Sequence, residues 1–189
     1  MELADRPRRV RQPEEKVGRL IVSATTVFGK DGYARARVQD ICRNAGVSVG
    51  TFYEHFESKA DLLLHIAELE DERLQFPVVT SRTELEHSMA QCVGSPFAGI
   101  ARAWLEAIEV EPELRLAHAR LRRGHLDRYS EWVRAARVRR DGDAPQIDER
   151  ATARAIIALL KEALTATYEP ALPRTADLAR AAWYLLFAE

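Results

Sequence analysis

Two cysteines in 189 residues, Cys42 and Cys92, are too few to frame a disulfide-stapled fold, and they suit a reducing compartment. No apolar run approaches the roughly 20 residues that span a bilayer. The stretch around Arg6, Arg8, Arg9 and Arg11 leads into prolines and acids, not an apolar region, which predicts no secretion signal. Strand-like alternation is missing, and so are internal repeats. A glycine-rich phosphate loop, a nucleophile elbow and a cysteine cluster are missing as well. These absences predict a soluble, cytoplasmic, all-α protein that is not an enzyme and has no catalytic residues, metal or cofactor, and they argue against a membrane partner. An excess of charge of one sign is lacking too. The net charge is −1, so bulk charge announces no polyanionic partner.

The distribution of charge says more. Residues 1–60 hold 11 basic and 8 acidic side chains, and the remainder holds 17 and 21. A mildly basic head on an acidic body suits phosphate contact at one end. The hydrophobic fraction of 47% is enough for one substantial core, or for a small head on a larger body.

Apolar periodicity predicts about nine helices. Residues 1–13 are polar, Arg-rich and broken by Pro7 and Pro13, and read as a disordered basic arm, either a loose tail or a grip on DNA. Leu20, Ile21, Ala24, Val27 and Phe28 mark one buried face of a first helix, which Asp31-Gly32 ends, with the glycine expected in left-handed geometry. Val38, Ile41, Cys42 and Ala45 repeat the pattern over a shorter helix. Ala45-Gly46-Val47 is then a turn, and Ser48 caps the next helix. Ser58 with Asp61 opens a fourth helix in a capping-box pattern, expected to run to about Phe76. Further helices are expected from Thr83 to Cys92, from Pro96 after Ser95, from Pro112 to about Arg140 with a possible kink at Gly124, from Asp148 to Tyr168 and from Thr175 to Ala188. The domains follow: a helix-turn-helix head over 14–57, a connecting helix over 58–76 and a C-terminal body over 77–189.

Two short helices joined by a tight glycine-containing turn describe a helix-turn-helix, in which the first helix props the second into the major groove. Three features between Gly50 and Lys59 run against ordinary helix rules. Gly50 lies inside the presumptive recognition helix, where it costs about 1 kcal/mol relative to alanine but lets a backbone approach closely. Phe52 and Phe56, four apart, face the core and turn Tyr53 and His55 outward, where a tyrosine hydroxyl can meet a phosphate. Lys59 opposes the dipole of the helix it begins, a conflict that a bound phosphate would relieve. Each has a bland explanation singly: a glycine tolerated near a helix start, or an aromatic and a lysine on a solvated face.

Taken together, Gly32-Tyr33, Val38-Gln39-Asp40-Ile41, Ala45-Gly46-Val47-Ser48-Val49-Gly50-Thr51-Phe52-Tyr53-Glu54-His55-Phe56, Ser58-Lys59 and Leu62 resemble the DNA-binding domain of the TetR family of bacterial transcriptional regulators, over about Val17 to Leu69. The resemblance implies a homodimer on a palindromic double-stranded operator. It implies backbone or base-edge contact by Ser48, Val49, Gly50, Thr51, Tyr53 and His55, and phosphate contact by Lys59. It also implies repression relieved by a small-molecule inducer. Two positions depart from the family pattern. Ala36 stands where Thr or Ser usually caps the second helix, leaving Arg37 to supply a phosphate contact, and Cys42 replaces a small residue in the core.

The body matches the family only in length and helical character. Its last two helices, with Ile156, Ile157, Leu160 and Leu164, and with Leu178, Ala182, Trp183, Leu185 and Leu186, are expected to form the homodimer interface that the resemblance implies, with plain internal core as the alternative. Trp104, His118, Tyr129 and Trp132 are candidates to line a ligand cavity, favouring an aromatic or lipophilic compound, and packing explains each equally well. His118 and His125 are seven apart, without the i, i+3 or i+4 pairing of a helical metal site. A ligand-independent architectural DNA-binder of the same fold is the alternative function.

Overall fold

The structure, a computed structural model, describes residues 13–73, 81–93, 96–141, 148–166 and 175–187. These form nine helices: α1 (Pro13–Arg35), α2 (Val38–Ala45), α3 (Val49–Tyr53), α4 (Lys59–Arg73), α5 (Arg82–Val93), α6 (Pro96–Val110), α7 (Pro112–Asp141), α8 (Glu149–Ala166) and α9 (Thr175–Phe187). No strand occurs among the described residues, and no described helix is long and apolar enough to cross a membrane. The expected arm over 1–13 falls outside the described residues apart from Pro13, which opens α1. The ends expected at Phe76, Tyr168 and Ala188, and the cap at Ser95, also fall outside them.

Two hydrophobic cores organise the chain. The first gathers Leu20, Phe28, Ile41, Phe52, Leu62 and Leu63 from α1–α4, and also Ile100, Ala103, Trp104 and Ala107 of α6 and Leu114 of α7. The second joins Leu85 and Met89 of α5, Tyr129, Val133 and Ala136 of α7, Ala153 and Ile156 of α8, and Leu178, Ala182, Trp183 and Leu186 of α9. The head's core is thus completed by α6, which lies along α1 although it was assigned to the body. The helix α7 enters both cores and runs through Gly124 as one element, so that glycine does not break it.

Gly32 ends the first run of α1 with φ 73° and ψ 175°, after which Tyr33–Arg35 resume a short helical turn. The positive φ was expected, but the extended ψ lies outside left-handed helical geometry, in a region essentially reserved for glycine. The α1–α2 packing is pinned by Ser23, whose buried hydroxyl donates to the Ile41 carbonyl at 2.7 Å.

Candidate nucleic-acid interface

The helix α2 closes in a Schellman motif. Gly46 is left-handed (φ 64°, ψ 39°), its N–H donates to the Arg43 carbonyl at 3.2 Å, and the Val47 N–H donates to the Cys42 carbonyl at 3.0 Å. Ser48 follows in extended geometry, and its Oγ accepts the Thr51 N–H at 3.0 Å, which starts α3 where the sequence placed it. The two hydroxyls of Ser48 and Thr51 are also 3.0 Å apart, so Thr51 is partly engaged inside its own helix.

With five residues, α3 is too short to be stable alone and depends on its anchor. Phe52 is that anchor at 0% exposure, packed edge-on to Tyr53 and tilted against Phe56. Its burial leaves Val49 at 37% and Tyr53 at 58% exposure, with Ser48 and Gly50 also exposed and Thr51 and His55 half-buried. A Cβ added to Gly50 would meet only Ser48 Oγ, at 3.6 Å, an ordinary contact. Nothing among the described residues requires glycine there.

The start of α2 lies outside the sequence expectation by one position. Its N-cap is Arg37, not Ala36, and Arg37 makes no side-chain capping bond. Ala36 is buried, and its N–H donates to the Gly32 carbonyl at 3.3 Å. The Arg37 guanidinium is exposed and forms no hydrogen bond or ion pair among the described residues, beside a helix end with free backbone donors. Arg43, by contrast, is tied to Asp40 at 2.9 Å.

Lys59 sits differently from a plain phosphate ligand. Its Nζ donates to the carbonyls of Tyr33 (2.8 Å) and Ala36 (3.3 Å) and lies 4.2 Å over the Tyr33 ring. The dipole conflict at the start of α4 is therefore relieved inside the chain, and one ammonium proton remains. Burial pulls the ammonium below its ordinary value, and the charge of Glu111 works the other way. Ser58 caps α4 by accepting the Asp61 N–H at 3.0 Å. Asp61 returns a bond to the Glu57 N–H, one residue before the cap. Cys42 is buried, and burial pushes its thiol up, which keeps it a core residue and not a reactive one.

One residue escaped sequence reasoning. Arg19 is half-buried with a buried, unbonded Nε, and its guanidinium rests by Gly46 at the helix-turn-helix bend. Helical periodicity alone gives a residue flanking the core no such meaning.

A model of the family described as "Bacterial regulatory proteins, tetR family" matches residues 20–66, the stretch that builds this interface. Over these residues the chain is similar to the DNA-binding domain of that family. Among curated relatives, the HTH-type transcriptional regulator YerO of Bacillus subtilis is 43% identical over 54 residues, covering 29% of this chain and 19% of that protein. The fatty acid metabolism regulator protein of the same organism is 28% identical over 117 residues, 60% of either chain. The chain thus matches less than two thirds of the length of these relatives. Of solved structures, FadR from Bacillus subtilis in complex with stearoyl-CoA aligns with a TM-score of 0.66 at 20% identity, over 90% of this chain and 97% of that one, a likeness of fold. The head therefore carries a TetR-type helix-turn-helix, and the all-helical body shares its fold with that structure.

In the body, the four candidate ligand residues separate into two pairs. Trp104 is buried, and its Nε1 donates to His118 Nδ1 at 3.0 Å. Because an indole N–H only donates, His118 is neutral with its proton on Nε2, and burial followed by the charges of Arg122, Lys161 and His125 holds it below the usual imidazole range. Tyr129 and Trp132 meet edge-on at 6.3 Å in the second core region. Along α7, His118 and Tyr129 are eleven positions, or about 16 Å, apart. Between the pairs, Asp71 of α4 accepts from both His125 Nε2 and Arg128 Nη2 on one oxygen. No group of three His, Cys, Asp or Glu among the described residues is arranged to hold a metal ion.

Proposed function

We propose that the protein is a cytoplasmic, sequence-specific transcriptional regulator that binds a palindromic double-stranded operator as a homodimer, represses from it and is released by a small-molecule inducer. The observation that carries the DNA-binding part is the division of α3, with Phe52 wholly buried while Val49, Gly50 and Tyr53 are presented outward. A short capped helix held proud of its supports is what a major groove admits. In this reading Val49 and Thr51 contribute sequence preference through apolar contact with thymine methyls. Ser48, Gly50, Tyr53 and His55 approach backbone or base edges, and Arg37 and the remaining proton of Lys59 meet phosphates. Selection from random DNA tests it. Enrichment of a palindrome supports the reading, and the absence of any enriched sequence refutes it.

The inducer part rests on the body. Buried Trp104 and half-buried His118 offer an apolar wall with one donor left over, the His118 Nε2–H. The regulator of fatty acid metabolism and the stearoyl-CoA complex among the relatives favour a lipophilic acyl-type compound. Thermal shift with long-chain acyl-CoA, followed by operator release, is the check. A compound that stabilises the protein without releasing DNA would favour the ligand-independent alternative.

A further inference from the structure

Outside α3, the feature least explained by folding alone is a pair of carboxylates that reach from the body to the turn between α1 and α2. Glu106, on α6, accepts the Tyr33 N–H at 2.9 Å and also the Ala34 N–H, and Arg102 braces its other oxygen at 2.9 Å. Glu111, at the α6–α7 corner, accepts the Tyr33 hydroxyl at 2.6 Å. Lys59 closes the group from α4 through the Tyr33 and Ala36 carbonyls. These partners are 73 and 78 residues from Tyr33 in sequence.

Room for the arrangement comes from Gly32, where an added Cβ would stand 2.6 Å from Glu106 Oε2. The apolar contact of α1 with α6 supplies attraction, but apolar packing has no preferred direction and tolerates small rotations. Hydrogen bonds to ionised groups are directional and stronger than neutral ones. From Tyr33 the chain reaches Arg37, the N-cap of α2, within four residues. From Glu111 it enters α7, which continues into the second core with α8 and α9.

We infer that Glu106 and Glu111 are positioning residues that fix the angle of the helix-turn-helix on the α6–α7 corner, and so set the half-site spacing that a dimer accepts. The inference rests on the operator-binding reading. One base pair of spacing shifts a half-site by roughly 3.4 Å along the axis and also turns it about the duplex, so an angular clamp is read out as spacing preference.

The test uses the full chain and its Glu111→Gln, Glu106→Gln and Tyr33→Phe variants, each measured on the selected operator with its spacer changed by one and two base pairs. The wild type should prefer one spacing by roughly tenfold, the scale of one charged hydrogen bond, and the variants should lose most of that preference while staying within about threefold on the best site. Tyr33→Phe keeps the ring under Lys59 and removes only the hydroxyl, so it decides the matter if a glutamine variant melts below the assay temperature. An unchanged spacing profile, with or without a uniform loss of affinity, overturns the inference and leaves the operator reading intact. Failure of the wild type to bind any palindrome overturns both.

Discussion

Phe52 and Tyr53 are neighbours with opposite fates, and the contrast determines what each substitution should do. Phe52 fills the first core completely, so Phe52→Ala should cost about 3–5 kcal/mol, read by denaturant titration, and abolish DNA binding indirectly. Tyr53 makes no core contribution of that size, so Tyr53→Phe should leave the melting transition in place and weaken binding to all sequences alike. Arg37→Ala should flatten the salt dependence by about one phosphate's worth of counterion release. An unaltered slope would remove Arg37 from the contact face. Gly32→Ala places a Cβ against Glu106 in a backbone region meant for glycine and should destabilise the fold by about 1–3 kcal/mol. At this scale the sequence was readable wherever the cause was local. Ser48 as a cap, Cys42 as a core residue and the outward turn of Tyr53 all follow from neighbours within one helical turn. The internal use of the Lys59 ammonium was not readable, because its carbonyl partners are 26 and 23 residues away.

Helices that look alike in the sequence differ in what holds them. The Schellman close of α2 and the Ser48 cap act on consecutive residues, and a five-residue helix has little else to hold its first turn. Ser48→Ala should therefore cost about 1 kcal/mol and fray α3, visible as faster amide exchange at Thr51. On α7 the electrostatics are different. Burial is the largest cause holding both His118 and His125 below the usual imidazole value of 6.5, and Asp71 only partly opposes it at His125. A histidine with a depressed folded value takes up its proton more readily unfolded, so stability is complete above pH 6.5 and declines as pH falls below it. Chemical denaturation across that window should show the decline, and His118→Gln should flatten it. A wild-type stability rising toward pH 5.5 would contradict this sign. Helix order and most boundaries were legible because apolar periodicity and caps are short-range signals. The pairing of Trp104 on α6 with His118 on α7 was not, since periodicity does not say which faces of two successive helices meet.

At the level of the whole molecule, the two cores leave a surface unaccounted for. On α8 and α9 the stripe of Ala153, Ile156, Leu178, Ala182, Trp183 and Leu186 is used up inside the second core, which is the internal-core half of the sequence expectation. What remains outward is Tyr184 at 54% and Leu185 at 40% exposure on α9, beside the half-buried outer sides of Ile157 and Leu160, which pack against that core from α8. Exposed apolar side chains of this size on adjacent helices are what a symmetric four-helix contact between two copies would cover. Because Leu185 is exposed and is not part of the second core in one copy, Leu185→Arg should leave the melting transition of the protomer nearly unchanged. In a twofold contact the same change meets its own image, and two like charges brought together without partners oppose association strongly. Sedimentation equilibrium should therefore find the wild type dimeric and the variant monomeric at the same concentration. On DNA, the variant should keep its modest affinity for one half-site while losing the gain that a linked second head provides on the full palindrome. A variant that remains dimeric would move the interface elsewhere on the body, and the half-site spacing would then have to be set through a different pair of helices.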